Sequence, residues 1–405
     1  MTVLHGDNAH GKTSVLAAIA VGLGVIPTIL SRAGGINFRK SDRRAGAPEA
    51  RVRIETVDGL AWQRQDIGPG FLIRTEPGAP SGTKSLTDWL RTISEAIERN
   101  EPTNIPVFAY YDTDRAVFDV PERKRDFQQS FDRFATYTGA LARKTSFKSL
   151  VEWFYAQENQ ELRLQRQRKD FDVRLPALNA VRSAIEGMMP NIGNPHIEPP
   201  VRFVVTWRGQ DGRSEALSLD QLSGGYRIVL ALAADLALRM ALANPHLDEP
   251  TKAESIVLID EVELHLHPAW QQRILTDLRR TFPNTQFIVS THSPQVLSAV
   301  EPEHIIHLRD TAKGIIAEQE TGPTFGARSG DVLETVMGVD QRPSNEFAVP
   351  LRAYQALVAR GDGETAAARA MRSALEHLSK DDPALAAADI EIARRRMMRE
   401  IAGGR

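Results

Sequence analysis

The chain has no cysteine among its 405 residues. That excludes disulfides, zinc sites built on thiolates and iron–sulfur clusters, and it fits a cytoplasmic protein. Neither sign of charge is in excess: Lys and Arg number 50, Asp and Glu 52, and the net charge is -2. Any nucleic-acid surface is therefore a local patch, not a property of the whole chain. There is no internal repeat, no low-complexity tract, and no segment long enough for an extended coiled coil. One run looks like the apolar core of a secretory signal. The uncharged run from Val15 to Leu30 is short for a bilayer, contains Pro27 and precedes no small-x-small cleavage site. It predicts a helix buried against a sheet, with no membrane partner.

What is present is ordinary globular material, with 42% hydrophobic and 25% charged residues. The length suits two or three domains, or one large α/β domain with an elaborate insertion. Residues 1–120 read as a first lobe rich in strands. "ARVRIETVDGLAWQRQ" predicts a hairpin turning at Asp58-Gly59, and "IPVFAYYDTDR" predicts a buried strand feeding a site. Residues 121–200 take helical spacing, as in "SLVEWFYAQENQELRLQRQRKDFDVRL", and predict a helical insertion closed by Pro190, Pro195, Pro199 and Pro200. Residues 201–338 predict a second lobe. There the wholly apolar runs Ile256–Ile259 and Phe287–Val289 alternate with helices, as in a parallel sheet covered on both faces. Residues 339–405 read as a tail of Ala- and Arg-rich helices.

Four stretches carry chemistry. "GDNAHGKTS" holds Gly6-x4-Gly11-Lys12-Thr13, a phosphate loop whose backbone N–H groups and helix N-terminus suit an anion. Lys12 would reach the β- and γ-phosphates, and Thr13 would offer its hydroxyl to Mg²⁺. Such a pattern arises by accident in a chain of this length on the order of once in a hundred. In "SIVLIDEVELHLHP" an apolar strand delivers Asp260 and Glu261, as carboxylates serving a metal and an attacking water would be delivered; two exposed acids capping a strand is the bland alternative. "LSGGYR" sets Ser223, Gly224 and Gly225 at a helix start, either a second anion site or an ordinary Ser N-cap. "FIVSTHSP" brings His292 to the end of another strand.

In that order, over roughly residues 2–294, the four motifs resemble the ABC-type ATPase heads of the RecF, SMC and OLD-like group. The resemblance implies an α/β P-loop NTPase of ABC-ATPase type, a two-lobed head with a mixed, largely parallel sheet. It also implies a homodimer, or higher oligomer, closed around ATP and Mg²⁺. Gly6, Asn8, Gly11, Lys12, Thr13 and Ser14 would hold one ATP, with Thr13 and Asp260 on the metal and Glu261 as general base. Ser223, Gly224 and Gly225 would reach the γ-phosphate held by the other subunit, and His292 would be the switch residue. More narrowly, "GDNAHGKTS", "YYDTDR", "EWF", "LHLHPAWQ" and "GVDQRP" look like compact AAA-family ATPases of anti-phage defence, Septu PtuA-like and retron-associated. Those commonly act with a separate HNH nuclease.

Some features depart from that pattern. No glutamine stands clearly in the Q-loop position, so Asp112, Asp114 and Arg115 are candidate substitutes. His10 introduces a titratable ring beside the phosphates. His265 and His267 suit a structural or dimer contact better than a metal. A RecF-like clamp on DNA is the alternative function, and its candidate surface is Arg32, Arg39, Lys40, Arg43, Arg44, Arg51 and Arg53 against Asp42 and Glu49; a solvated loop face is the plain reading. A transporter subunit is disfavoured by the insertion, and an OLD-type nuclease by the short helical tail. Finally, only Thr2 to His5 precede the loop, whereas the heads it resembles begin with further strands. The expectation is that the chain lacks its first strand or two.

Overall fold

The four residues before the phosphate loop form β1 (Thr2–His5), and helix α1 (Lys12–Leu23) leaves the loop. The computed structural model describes residues 1–31, 35–69, 82–113, 131–141, 147–209, 211–312 and 314–403. The single helix expected over Val15 to Leu30 is two. The Gly24 N–H bonds back to Ala20 O and Val21 O, and a second helix, α2 (Val25–Leu30), begins. Pro27 is tolerated because it falls in the first turn of α2, where N–H groups have no partner in the helix. By length and composition the stretch Lys12–Leu30 could cross a membrane, but half of it is buried inside the protein, with Leu16, Ala20, Val21, Leu23 and Ile26 all in the core.

The predicted hairpin is present as β2 (Glu49–Glu55) and β3 (Ala61–Ile67), with Glu55 opposite Ala61 across the Asp58-Gly59 turn. Its indole anchor, Trp62 Nε1, donates to Gly22 O at 2.9 Å and lays the hairpin on α1. Helix α3 (Lys84–Glu98) buries Leu86, Leu90 and Ile93, a single face of a 3.6-residue repeat. Strand β4 (Val107–Tyr111) is buried throughout.

Helices α4 (Phe147–Arg168) and α5 (Pro176–Met188) lie within residues 121–200, and α5 ends just before Pro190. Ile192–Glu198 is strand β5, which pairs with β6 (Arg202–Arg208), and β6 with β7 (Ser214–Ser218), in an antiparallel sheet of three. Pro195 fits because the register shifts between Gly193 and His196, an irregularity that spares the ladder a missing donor.

Helix α6 (Gly224–Ala243) is apolar on every side and buried along nearly its whole length. After it come β8 (Ser255–Ile259), α7 (Pro268–Gln271), α8 (Ile274–Thr281), β9 (Thr285–Ser290), α9 (Pro294–Leu297), β10 (Ile305–Thr311), β11 (Gly314–Gln319) and α10 (Ser329–Thr335).

The main sheet has the order β11-β10-β1-β9-β8-β4, parallel throughout except for β11. The sheet draws strands from both lobes expected along the chain. Strands β1 and β4, from the expected first lobe, share one sheet with β8 to β11, from the expected second. β1 is interior, with Val3 beside Val289 of β9 and Ile305 of β10. Val257, Leu258, Ile259, Phe287 and Val289 are fully buried, each stabilising the fold by roughly 1.5–3 kcal/mol relative to exposure. Because β1, β8 and β9 run in the same direction, the residues that follow them emerge along one edge.

Two compact units divide the chain, Met1–Val332 and Leu333–Arg405. The second begins six residues before the expected tail, since Val339 N bonds to Leu333 O and Gln341 Nε2 to Glu334 Oε2. It comprises α11 (Ala348–Arg360), α12 (Ala366–Leu378) and α13 (Pro383–Gly403), around Leu351, Tyr354, Val358, Leu375 and Leu385.

Candidate functional site

The loop from Gly6 to Gly11 is shaped by its two glycines. Gly6 has φ 152°, and a Cβ there would lie 2.4 Å from the Leu308 carbonyl oxygen of β10. Gly11 has φ 82° and is the N-cap of α1 without a side-chain cap, which leaves the first N–H groups of the helix for a ligand. Asn8 and Ser14 are exposed beside it. The Lys12 side chain is folded back into the loop, where Nζ donates to Gly6 O at 2.8 Å and Asp7 O at 2.9 Å. Burial holds its ammonium below the ordinary lysine range, against the opposing pull of Asp260, Glu261, Asp7 and Glu263. A phosphate placed in the loop would supply the anion this amine lacks.

Asp260 and Glu261 leave the end of β8 as expected. The Thr13 hydroxyl donates to Asp260 Oδ2 at 2.7 Å, so the two residues assigned to the metal meet across the site. Ser290, at the end of β9, donates its hydroxyl to Asp260 Oδ1 and accepts the Glu261 N–H at 2.8 Å. The Asp260 N–H is held by Tyr111 O of β4 at 2.8 Å. Glu261 itself has φ 45°, a left-handed conformation that turns the chain sharply at the strand end. The donor set suits a nucleotide with Mg²⁺: one buried carboxylate, a hydroxyl, a lysine and a glycine-rich cradle.

His292 follows β9, and its backbone N–H donates to Glu263 Oε1 at 2.6 Å. Ser223 is the N-cap of α6, but its hydroxyl makes no capping bond, so the plain N-cap reading does not hold. Ser223, Gly224 and Gly225 line a pocket of about 700 Å³ with His265, Leu266, His267 and Trp270. No residue of the phosphate loop lines it. One chain thus joins Lys12, Thr13, Asp260 and Glu261, and keeps the LSGGYR residues in a separate cavity.

The remaining candidates fall as follows. His265 and His267 are exposed, and among the described residues no group of three or more His, Asp or Glu could hold a metal. His267 Nδ1 instead accepts the Ala269 N–H and caps α7. His10 lies with Nδ1 3.0 Å from Leu308 O and 3.2 Å from Asp7 N; the tautomer decides which of the two it engages. Asp112 is buried and accepts from the N–H and hydroxyl of Thr113, while Asp114, Arg115 and Arg32 lie outside the described residues. Three of the seven basic residues of the strip are paired with nearby acids: Arg43 with Asp66 at 2.8 Å, Arg51 with Glu49 at 2.5 Å and Arg53 with Glu55 at 2.9 Å. Ser290, Glu263 and Tyr111 were not anticipated as site residues. Ser290 and Glu263 lie inside the quoted motifs, but only strand register shows what they face.

Comparisons with known proteins show what the chain is similar to. The Retron Ec83 probable ATPase of Escherichia coli is 29% identical over 461 aligned residues, covering 97% of this chain and 82% of that protein. The Retron Vc95 probable ATPase of Vibrio cholerae is 24% identical, covering 89% and 79%. The Septu protein PtuA of Bacillus mycoides matches over 76 residues at 45% identity, 19% of this chain and 10% of that protein. Among solved structures, the SMC head domain from Thermotoga maritima aligns at TM-score 0.41 and 15% identity, over 79% of this chain and 90% of that one. The family described as "AAA domain, putative AbiEii toxin, Type IV TA system" matches residues 1–298. The chain therefore belongs to this AAA-domain family, and it is an ATPase.

Proposed function

We propose that the protein is a cytoplasmic ATP-driven switch: two copies close around ATP, and a partner nuclease of HNH type delivers the output in an anti-phage defence system. The observation that carries the dimer is the separation of the two half-sites. Lys12, Thr13, Asp260 and Glu261 converge on one nucleotide position, while Ser223 to Gly225 line a cavity that this position does not share. The uncommitted Ser223 hydroxyl and the open start of α6 suit the γ-phosphate of a nucleotide carried by a second copy. The retron ATPase and PtuA relatives support placing the protein in a defence system. The pairing of Arg43, Arg51 and Arg53 within their own hairpin region argues against a DNA clamp using that strip.

In this reading the N–H groups of the loop and Lys12 would hold the β- and γ-phosphates, and Thr13 and Asp260 would hold Mg²⁺. Bound Mg²⁺ neutralises charge on the phosphate oxygens. Glu261 orients a water and takes its proton as the water oxygen bonds to the γ-phosphorus. The bond from that phosphorus to the bridging oxygen of ADP breaks, releasing phosphate. His292 contacts the γ-phosphate and senses its presence.

The test is Glu261→Gln with saturating ATP and Mg²⁺, followed by light scattering after gel filtration. A trapped dimer with little hydrolysis is expected, and a monomer under those conditions overturns the sandwich. Co-purification with an HNH nuclease encoded beside it tests the partner.

A further inference from the structure

We infer that Glu263 is a positioning residue, whose carboxylate fixes the loop bearing His292 and joins it to the segment lining the LSGGYR pocket. The inference rests on the reading of His292 as the residue that senses the γ-phosphate. One oxygen, Oε1, accepts the His292 N–H at 2.6 Å, and the other, Oε2, accepts the Thr291 hydroxyl at 2.8 Å. A carboxylate gripping two consecutive residues leaves the His292 backbone little freedom, and such charge-assisted bonds are the stronger kind. The grip extends onward. Thr291 Oγ1 also accepts the Ser293 N–H at 3.0 Å, and the Ser293 hydroxyl donates to Gln271 Oε1 at 2.7 Å.

On its other side Glu263 belongs to a tight turn after β8. Leu264 N bonds to Glu261 O and Leu266 N to Glu263 O, both at 2.9 Å, and Gln271 Nε2 donates to Leu266 O at 2.8 Å. That turn runs directly into His265, Leu266 and His267, three walls of the pocket beside Ser223 and Gly225. A Cβ on Gly225 would lie 3.0 Å from His265 O, so the two walls already touch. The segment lining the pocket is thereby tied through Glu263 to the backbone of His292. The two ends of this tie are the proposed general base, two residues before Glu263, and the switch loop.

The experiment compares Glu263→Ala, Glu263→Gln and Thr291→Val in the full chain, with His292→Ala alongside. Glu263→Ala is expected to lower kcat about 100-fold with KM and nucleotide affinity nearly unchanged, the signature of a displaced group and not of lost binding. Glu263→Gln should restore kcat to within about fivefold of the parent, because its oxygen still accepts from His292 N and its amide can donate to Thr291 Oγ1. Thr291→Val removes one of the two bonds and should cost about tenfold in kcat. An unchanged kcat in Glu263→Ala or in Thr291→Val, or a parallel loss of kcat and nucleotide affinity, overturns the inference while leaving the ATP-site reading intact. Normal turnover by His292→Ala overturns this inference and the role given to His292 together.

Discussion

Thr13 and Asp260 are 247 positions apart in the chain and share a 2.7 Å hydrogen bond from the Thr13 hydroxyl to Asp260 Oδ2. The other carboxylate oxygen is held by Ser290, so Asp260 presents Oδ2 in one orientation toward Thr13. In the proposed reading this fixed hydroxyl and carboxylate would hold Mg²⁺ together. Thr13→Ala should therefore raise the Mg²⁺ concentration needed for half-maximal hydrolysis and lower kcat by about 10- to 100-fold. Thr13→Ser, which keeps the hydroxyl, should stay within about threefold of the parent. Steady-state ATPase rates across a Mg²⁺ titration read both.

Lys12 separates binding from stability. Its ammonium is buried against two carbonyls and held below the ordinary lysine range by that burial, so in the nucleotide-free protein the charged form is disfavoured. Lys12→Met keeps the aliphatic stem and removes the charge. The expected outcome is loss of ATP binding by at least about 100-fold, with a Tm no lower than the parent's. Fluorescent-nucleotide titration and thermal unfolding check the two halves, and unchanged affinity sinks the phosphate-loop assignment.

The four chemical motifs were legible because each depends on neighbours in sequence: glycines around a loop, acids or a histidine at the end of an apolar run. The hairpin at Asp58-Gly59 was legible for the same reason. Partnership between distant segments was not. Continuous apolar strands such as β4 and β8 look alike, and nothing in either sequence says that Tyr111 lies beside Ile259. That strands of the two expected lobes share one sheet follows only from such pairing, and β5 is hidden because Pro195 reads as a breaker until the register shift is seen. The role of Glu263 is not legible in its own motif, since its partners Thr291 and His292 follow the neighbouring strand β9.

His5 should give stability a measurable pH dependence. It is 3% exposed, its Nδ1 has no hydrogen-bond partner, and its ring lies 4.9 Å from that of His307, its neighbour across β10. Burial first, then the positive charge of a protonated His307, lowers its pKa from 6.5 to about 4. The folded state therefore resists a proton that the unfolded chain accepts. The stabilisation is complete above pH 6.5 and is lost as pH falls toward 4. It amounts to about 3 kcal/mol in all. Urea unfolding from pH 7.5 to 4 should show a shallower loss in His5→Gln than in the parent, and parallel curves refute the assignment.

Ser290 ties Asp260, the proposed metal ligand, to Glu261, the proposed general base, and removing its hydroxyl should affect the two differently. It is fully buried, donates to Asp260 Oδ1, and accepts the N–H of Glu261, a residue in the left-handed region at φ 45°. A non-glycine residue in that region costs roughly 1 kcal/mol or more, which this hydrogen bond helps to offset. Ser290→Ala leaves both the Asp260 oxygen and the Glu261 N–H without their partner, so a loss of about 1–3 kcal/mol in unfolding free energy is expected. If Glu261 is the general base, freeing its backbone from Ser290 would misplace its carboxylate while Thr13, Lys12 and the loop stay in place. Turnover should fall by about 10- to 100-fold with nucleotide affinity nearly unchanged. Single-turnover hydrolysis together with nucleotide titration separates the two effects, and a loss confined to affinity would mean that Ser290 serves the loop and not the base.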